Sequence, residues 1–255
     1  LQYEAVLRLR RGRALLIADT HIGLELELKR ERGVNVASQT ERIARRVVEL
    51  ADSLNATLVV ILGDVKHELR SPRDSAGEVR AFLSAVARRV PVLLTPGNHD
   101  TLLREIAEGI EGVITAPARG ILLDDKYLLL HGHAKPRRED LERAGVVIMG
   151  HTHPAVMIRD DIGYYVKVPA LLKIHAQRRA LCESLYGDPC EDGVVKIIVL
   201  PAFHPLLAGV DVRELPRASL EGKSILKYVE WRHELAEVYL PDMTFLGTLA
   251  DLQEW

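Results

Sequence analysis

Five aliphatic runs in this chain end in side chains that can hold a metal. ALLIA leads into Asp19-Thr20-His21, TLVVIL into Gly63-Asp64-Val65-Lys66-His67, and VPVLLT into Pro96-Gly97-Asn98-His99-Asp100. YLLL leads into His131-Gly132-His133, and VVIM into Gly150-His151-Thr152-His153. Carboxylate, amide and imidazole together suit borderline divalent metals: Mn, Fe, Co, Ni or Zn. In an extended segment residues i and i+2 point the same way, so Asp19 and His21 can share a metal, and His151 and His153 one site. Glycine at 63, 97 and 150 lets the backbone turn sharply and bring a metal or phosphate close. One such motif is weak, because a turn histidine facing solvent is commonplace; five in this order are specific.

The elements that must position these groups are legible as periodic patterns. Strands are expected at 14–19, 57–62 and 90–95, separated by helices at 38–54 and 77–89 and followed by a short helix at 101–108. Ser38 and Glu41 form a candidate capping box, and Asp100 a candidate cap for the short helix. GVITA, GILLDD, KYLLLH and GVVIMG then come close together, with one basic helix near 136–143, before AVMIR, YYVKV and VVKIIVL. Alternating strands and helices indicate crossover connections, and clustered strands indicate mixed pairing. The expected class is α/β, with two mixed β-sheets packed face to face and helices outside. Residues 1–200 would form the core and 201–255 a C-terminal extension packed on it. Ligands of open α/β sheets bind outside the carboxyl ends of the strands, where the five motifs fall.

The motifs, read in order as D-x-H, G-D-x-x-H, G-N-H-D, a lone His and G-H-x-H, resemble the calcineurin-like metallophosphoesterases over residues 19–153. That resemblance implies a four-layer α/β/β/α sandwich and a pair of divalent ions, with Mn first and Fe, Ni, Zn or Co as alternatives. It places Asp19, His21 and His153 on one ion, Asn98, His131 and His151 on the other, and Asp64 between them. Two ions about 3.5–4 Å apart lower the pKa of a bridging water, whose hydroxide attacks phosphorus. His99 would then donate to the leaving oxygen. His67 stands where many members carry a second Asp, a form shared with the SbcD-like repair nucleases; it would face the phosphate or support His99. Lys66 and Arg70 are near enough to contact substrate phosphate but read more naturally as surface charges, and His133 as a rim residue. ADTHIGLELELKRERGV, PAFHPLLAGVDV and EVYLPDMTFLGTL resemble the small ICC-like, ligase-associated branch. His204 belongs to the second of these stretches, and either approaches the site or is an ordinary loop residue; His175 and His233 are read as ordinary.

Composition narrows the substrate less. The net charge is −2 and aromatics are 5%, giving no global argument for nucleic acid and few stacking platforms. The clusters RLRRGR, KPRR and QRR are local exceptions. The leading expectation is a phosphodiesterase acting on nucleic-acid or nucleotide diesters, including DNA or RNA ends, with DNA-repair proteins or further copies of the chain as partners. A phosphomonoesterase is the second reading, and an inactive phosphoesterase-fold scaffold the third; all seven expected ligands and His99 are present, which disfavours the scaffold. No apolar run approaches the roughly 20 residues that span a bilayer, and residues 1–30 show no signal-peptide pattern, so a cytoplasmic protein without membrane contact is expected. Cys182 and Cys190 lack metal-site spacing: they are free thiols in a mesophile's cytosol, or a disulfide in a hyperthermophile.

Overall fold

Runs of Val, Ile and Leu bounded by turn residues become strands buried on both faces, and the amphipathic stretches between them become covering helices. The computed structural model describes residues 5–67, 74–159 and 162–253. The first half runs β1 (Val6–Leu9), β2 (Gly12–Ile17), α1 (Leu24–Arg32), α2 (Thr40–Ser53), β3 (Leu58–Leu62), α3 (Ala76–Ala87), β4 (Val92–Thr95), α4 (Leu103–Ala107) and β5 (Val113–Thr115). There follow β6 (Ile121–Leu123), β7 (Tyr127–Leu129), α5 (Arg138–Arg143), β8 (Val146–Met149), β9 (Pro154–Arg159), β10 (Tyr165–Pro169), β11 (Leu171–Gln177), α6 (Arg178–Tyr186) and β12 (Val194–Val199). The remainder supplies β13 (Val210–Asp211), α7 (Leu215–Glu221), β14 (Ala236–Tyr239), β15 (Phe245–Thr248) and α8 (Leu249–Leu252).

The first sheet has the order β1-β2-β3-β4-β5, parallel from β2 onward. The second has seven strands, β15-β14-β11-β12-β8-β7-β6, parallel along β12-β8-β7 and antiparallel elsewhere. A third, three-stranded sheet, β10-β9-β13, adds to the two expected. One core cluster joins Ile43 and Val47 of α2 and Phe82 of α3 to the first sheet, and that sheet to Leu129 and Ile148 of the second. A second cluster packs α5–α8 on the far side of the seven-stranded sheet. The result is the α/β/β/α sandwich. Residues 201–253 contribute β13 to the small sheet and β14 and β15 to the edge of the large one.

One local expectation changes, and one open alternative is decided. Helix α2 begins at Thr40 after Gln39, which gives no side-chain cap; Ser38 Oγ accepts from Thr40 N (3.3 Å) and donates to Glu78 on α3 (2.9 Å), and forms no box with Glu41. Of the two states open to them, Cys182 and Cys190 adopt the disulfide, which ties the middle of α6 to the loop before β12. No described helix is long and apolar enough to cross a membrane.

Candidate metal centre

β2, β3, β4, β7 and β8 all run toward the same edge of the sandwich, and the residues just past their ends converge. Ligand-capable atoms of Asp19, His21 and His153 lie within 4.8 Å of one another, as do those of Asp64, His131 and His151. The two triads meet at Asp64, whose Oδ2 is 3.6 Å from His21 Nε2 and 3.4 Å from His131 Nε2. Asn98 Oδ1 lies 3.2 Å from His131 Nε2, beside the second triad. All seven residues singled out as ligands are therefore in one place.

The backbone there is not extended. Asp19, His21, Asp64, His151 and His153 all have positive φ, from 38° to 75°. Left-handed backbone at a residue with a Cβ costs on the order of 1–3 kcal/mol and persists where surrounding structure dictates it. The i, i+2 argument of an extended strand thus does not apply: Asp19 and His21 share a triad, but His151 and His153 are divided between the two. The glycines also act differently from expectation. A Cβ on Gly97 would lie 2.1 Å from Asp64 Oδ1, and one on Gly150 2.4 Å from Asp19 Oδ2. At both positions the missing Cβ makes room for a neighbouring carboxylate.

Backbone donors hold those carboxylates. His151 N donates to Asp19 Oδ2 (3.0 Å), and His99 N to Asp64 Oδ1 (3.0 Å). Burial alone would raise both acids, but the surrounding imidazoles hold Asp19 and Asp64 below the usual carboxylate range. The histidines diverge. Burial pushes His21 down to about 3 and His151 to about 4. His131 is equally opposed by burial, yet its contact with Asp64 and the charge of Asp19 lift it to about 9.

The donor set fits a divalent cation. Asp19 Oδ1, His21 Nε2 and His153 Nε2 are buried without a hydrogen-bond partner, and they converge. The 3.2 Å separation of His153 Nε2 from Asp19 Oδ1 is an ion-pair distance without hydrogen-bond alignment. Orphaned buried polar atoms are costly unless something pairs them. His131 Nδ1 donates to the Leu62 carbonyl (2.9 Å), which leaves Nε2 as the ligand atom.

This set of side chains at these strand ends agrees with the match of residues 13–173, well over half the chain, to the family model described as the Calcineurin-like phosphoesterase superfamily domain. The chain belongs to the calcineurin-like phosphoesterase superfamily. It is 36% identical over 277 residues to the DNA double-strand break repair protein Mre11 of Archaeoglobus fulgidus, covering 82% of this chain and 61% of that one. Among solved structures, the Pseudomonas putida nuclease MPE gives a TM-score of 0.46 at 21% identity, over 83% of this chain and 90% of that one. The phosphoesterase Yfce from E. coli gives 0.42 at 16%, over 92% and 97%.

The phosphoesterase fold places the remaining candidates less simply. His67 engages both ring nitrogens: Nδ1 is 3.0 Å from His21 Nδ1, and Nε2 meets Glu27 on α1. For His21 Nε2 to be a ligand, its Nδ1–H must donate to His67 Nδ1, and His67 Nε2–H then donates to Glu27. The His67 ring also lies parallel to that of His99, 6.0 Å away, while its side-chain hydrogen bonds run to His21 and Glu27. Lys66 is 1% exposed and so is not a surface charge. Arg70 lies outside the described residues. His133 is half-buried, its ring 5.3 Å from that of His131; burial and His131 push it down to about 4.

Asp100 does not cap α4. Its carboxylate accepts from Gly97 N (2.8 Å), Val65 N (3.2 Å) and Lys66 N (3.1 Å), pinning two ligand-bearing loops together. Burial, with Asp64 nearby, raises it to about 6. His204 is buried, its Nε2 3.4 Å from Glu25 Oε1, and its backbone N–H donates to the Asp19 carbonyl (3.4 Å). His175 pairs with Glu237 (2.9 Å), remote from the centre. Glu27 and Glu25 were not singled out in the sequence. Their signal is α1 itself, with Glu25 and Glu27 in its first turn, basic residues in its last, and Gly23 and Gly33 at its ends.

Proposed function

We propose that the chain is a dinuclear metal-dependent phosphodiesterase, Mn being its working ion, that hydrolyses nucleic-acid or nucleotide diesters. Asp19, His21 and His153 would hold one ion, Asn98, His131 and His151 the other, and Asp64 both. The observation that carries this is the position of Asp64 Oδ2, 3.6 Å from a histidine of one triad and 3.4 Å from a histidine of the other. When bound, such an ion pair supplies a water-derived nucleophile at neutral pH and positive charge for the phosphoryl oxygens.

The chain's own residues do the rest. His99 is 29% exposed and its Nε2 is 3.9 Å from Asp64 Oδ2, so it stands at the open side of the centre. From there it donates a proton to the departing oxygen. The His99 N–H bond to Asp64 fixes its backbone, and Asp100 fixes the loop that carries it. The likeness to a DNA double-strand break repair protein supports a DNA diester over a monoester.

The test is turnover of bis-p-nitrophenyl phosphate and p-nitrophenyl phosphate by Mn-loaded protein, with His99→Ala alongside. Diester turnover falling by about 10²–10⁴ in the variant, with Mn still bound, is expected for loss of a proton donor. Preference for the monoester would replace the diesterase with a phosphatase. Bound metal with neither ester cleaved would leave a scaffold.

A further inference from the structure

A cleft of about 840 Å³ lies beside the metal centre, and no catalytic candidate lines it. One side is the N-terminal half of α2, which presents Arg42, Arg45 and Arg46, joined by Lys167 of β10. Glu49 is the one carboxylate among the lining residues, so four cations face one acid in a chain of net charge −2. The other side is apolar: Pro169, Phe203, Leu206 and Leu207, with Leu206 42% exposed. Segments that line or adjoin the cleft are bonded to the segments that carry the candidate ligands. Phe203 N donates to the Ala18 carbonyl (2.8 Å), and the adjacent His204 N to that of Asp19. Val210 N donates to the His153 carbonyl (2.8 Å), and Lys167 Nζ to Gly209 (3.2 Å).

Building on the phosphodiesterase reading, we infer that this cleft binds the single-stranded flank of a nucleic-acid substrate whose scissile diester sits at the metal centre. Guanidinium groups along one wall match a row of phosphates, and an apolar wall opposite matches exposed base faces. A duplex buries its base faces in stacking and has no use for that wall. Arg42 spends one donor of its five on Gln39 (3.1 Å), which leaves the fork available to phosphate. The scarcity of aromatics in the chain as a whole does not weigh against this, because the apolar wall is local and is made mostly of Pro and Leu.

The experiment is fluorescence anisotropy of a labelled single-stranded oligonucleotide against Mn-loaded full chain. The comparison is with the triple variants Arg42→Ala/Arg45→Ala/Arg46→Ala and Arg42→Lys/Arg45→Lys/Arg46→Lys. Three lost phosphate contacts on a single strand reduce the slope of log K against log salt by about 2. The alanine variant is expected to bind at least about tenfold more weakly with that reduced slope, and the lysine variant to restore the slope. The alanine variant's oligonucleotide KM should rise at least ten times more than its KM for bis-p-nitrophenyl phosphate. Unchanged binding in the alanine variant, equal affinity for a duplex of the same length, or loss seen only with anionic phospholipid vesicles would overturn the inference. Failure of the native chain to cleave any diester would refute the enzymatic reading and leave the anisotropy result to stand or fall by itself.

Discussion

His21 and His131 occupy equivalent places, each just past a buried strand and each facing Asp64 Oδ2, yet they are held by different means. His131 Nδ1 donates to the Leu62 carbonyl, a main-chain group that no side-chain substitution removes. His21 Nδ1 meets His67, which in turn meets Glu27 on α1. Main chain fixes one imidazole; a relay of two side chains fixes the other. A centre built this way has one half as rigid as the sheet and another half tunable through α1. The two halves are joined by Asp64 and by the His151 N–H bond to Asp19.

The largest effect should come from removing the shared group. Asp64→Asn keeps the volume but halves the negative charge of the centre and leaves a neutral amide between the triads. Diester turnover should drop to background, and isothermal titration should record loss of the two-ion stoichiometry. If Mn titration still gives two ions of native affinity, the triads are independent and Asp64 does not join them.

Gly150→Ala strikes the other junction. Its Cβ would lie 2.4 Å from Asp19 Oδ2 and 2.7 Å from Ala18 Cβ, and the latter belongs to backbone that cannot swing aside. The sheets must part locally, at about 1–3 kcal/mol, typical of overpacking. Thermal unfolding should register that loss, and both ions should bind more weakly, since Asp19 and His151 are displaced together. A variant of native stability that weakens one ion alone would separate the halves at this point too.

The sequence made the candidate ligands legible and left their supports hidden. Asp19, His21, Asp64, Asn98, His131, His151 and His153 stand out because each follows an aliphatic strand, and parallel strands deliver their ends to one edge. The left-handed backbone that aims them is invisible to a period-2 pattern, so spacing put His151 and His153 at one site without dividing them between the two triads. Glu27 was hidden for a related reason. LELELKRER alternates Leu and Glu like a strand, and it is the terminal glycines and the acid-to-base gradient that mark it as helix. Four-residue strands such as β14 and β15 are too short to show any period, so no pattern in the sequence shows that the 201–255 extension adds strands to the large sheet. Asp100, plausible as a cap by position, is claimed by Gly97 N of its own loop and by Val65 N and Lys66 N of a loop distant in sequence.

The smallest effect should come from the far end of the relay, and it is the sharpest test of the difference between the two histidines. Glu27→Gln keeps an acceptor for His67 Nε2–H but removes the negative charge that makes His67, and through it His21, a stronger electron donor. Outer partners of ligating histidines are typically worth 10–100-fold in metal affinity, and a change that preserves the hydrogen bond falls at the low end, about tenfold. Only one of the two ions should be affected, because His131 takes its support from the Leu62 carbonyl, which the substitution does not reach. A two-site Mn titration should therefore split: one dissociation constant rises about tenfold, the other stays put. Equal weakening of both would mean that α1 supports the centre as a whole. No weakening would mean that the Glu27–His67 contact leaves His21 untouched, and that His21 is held by packing alone.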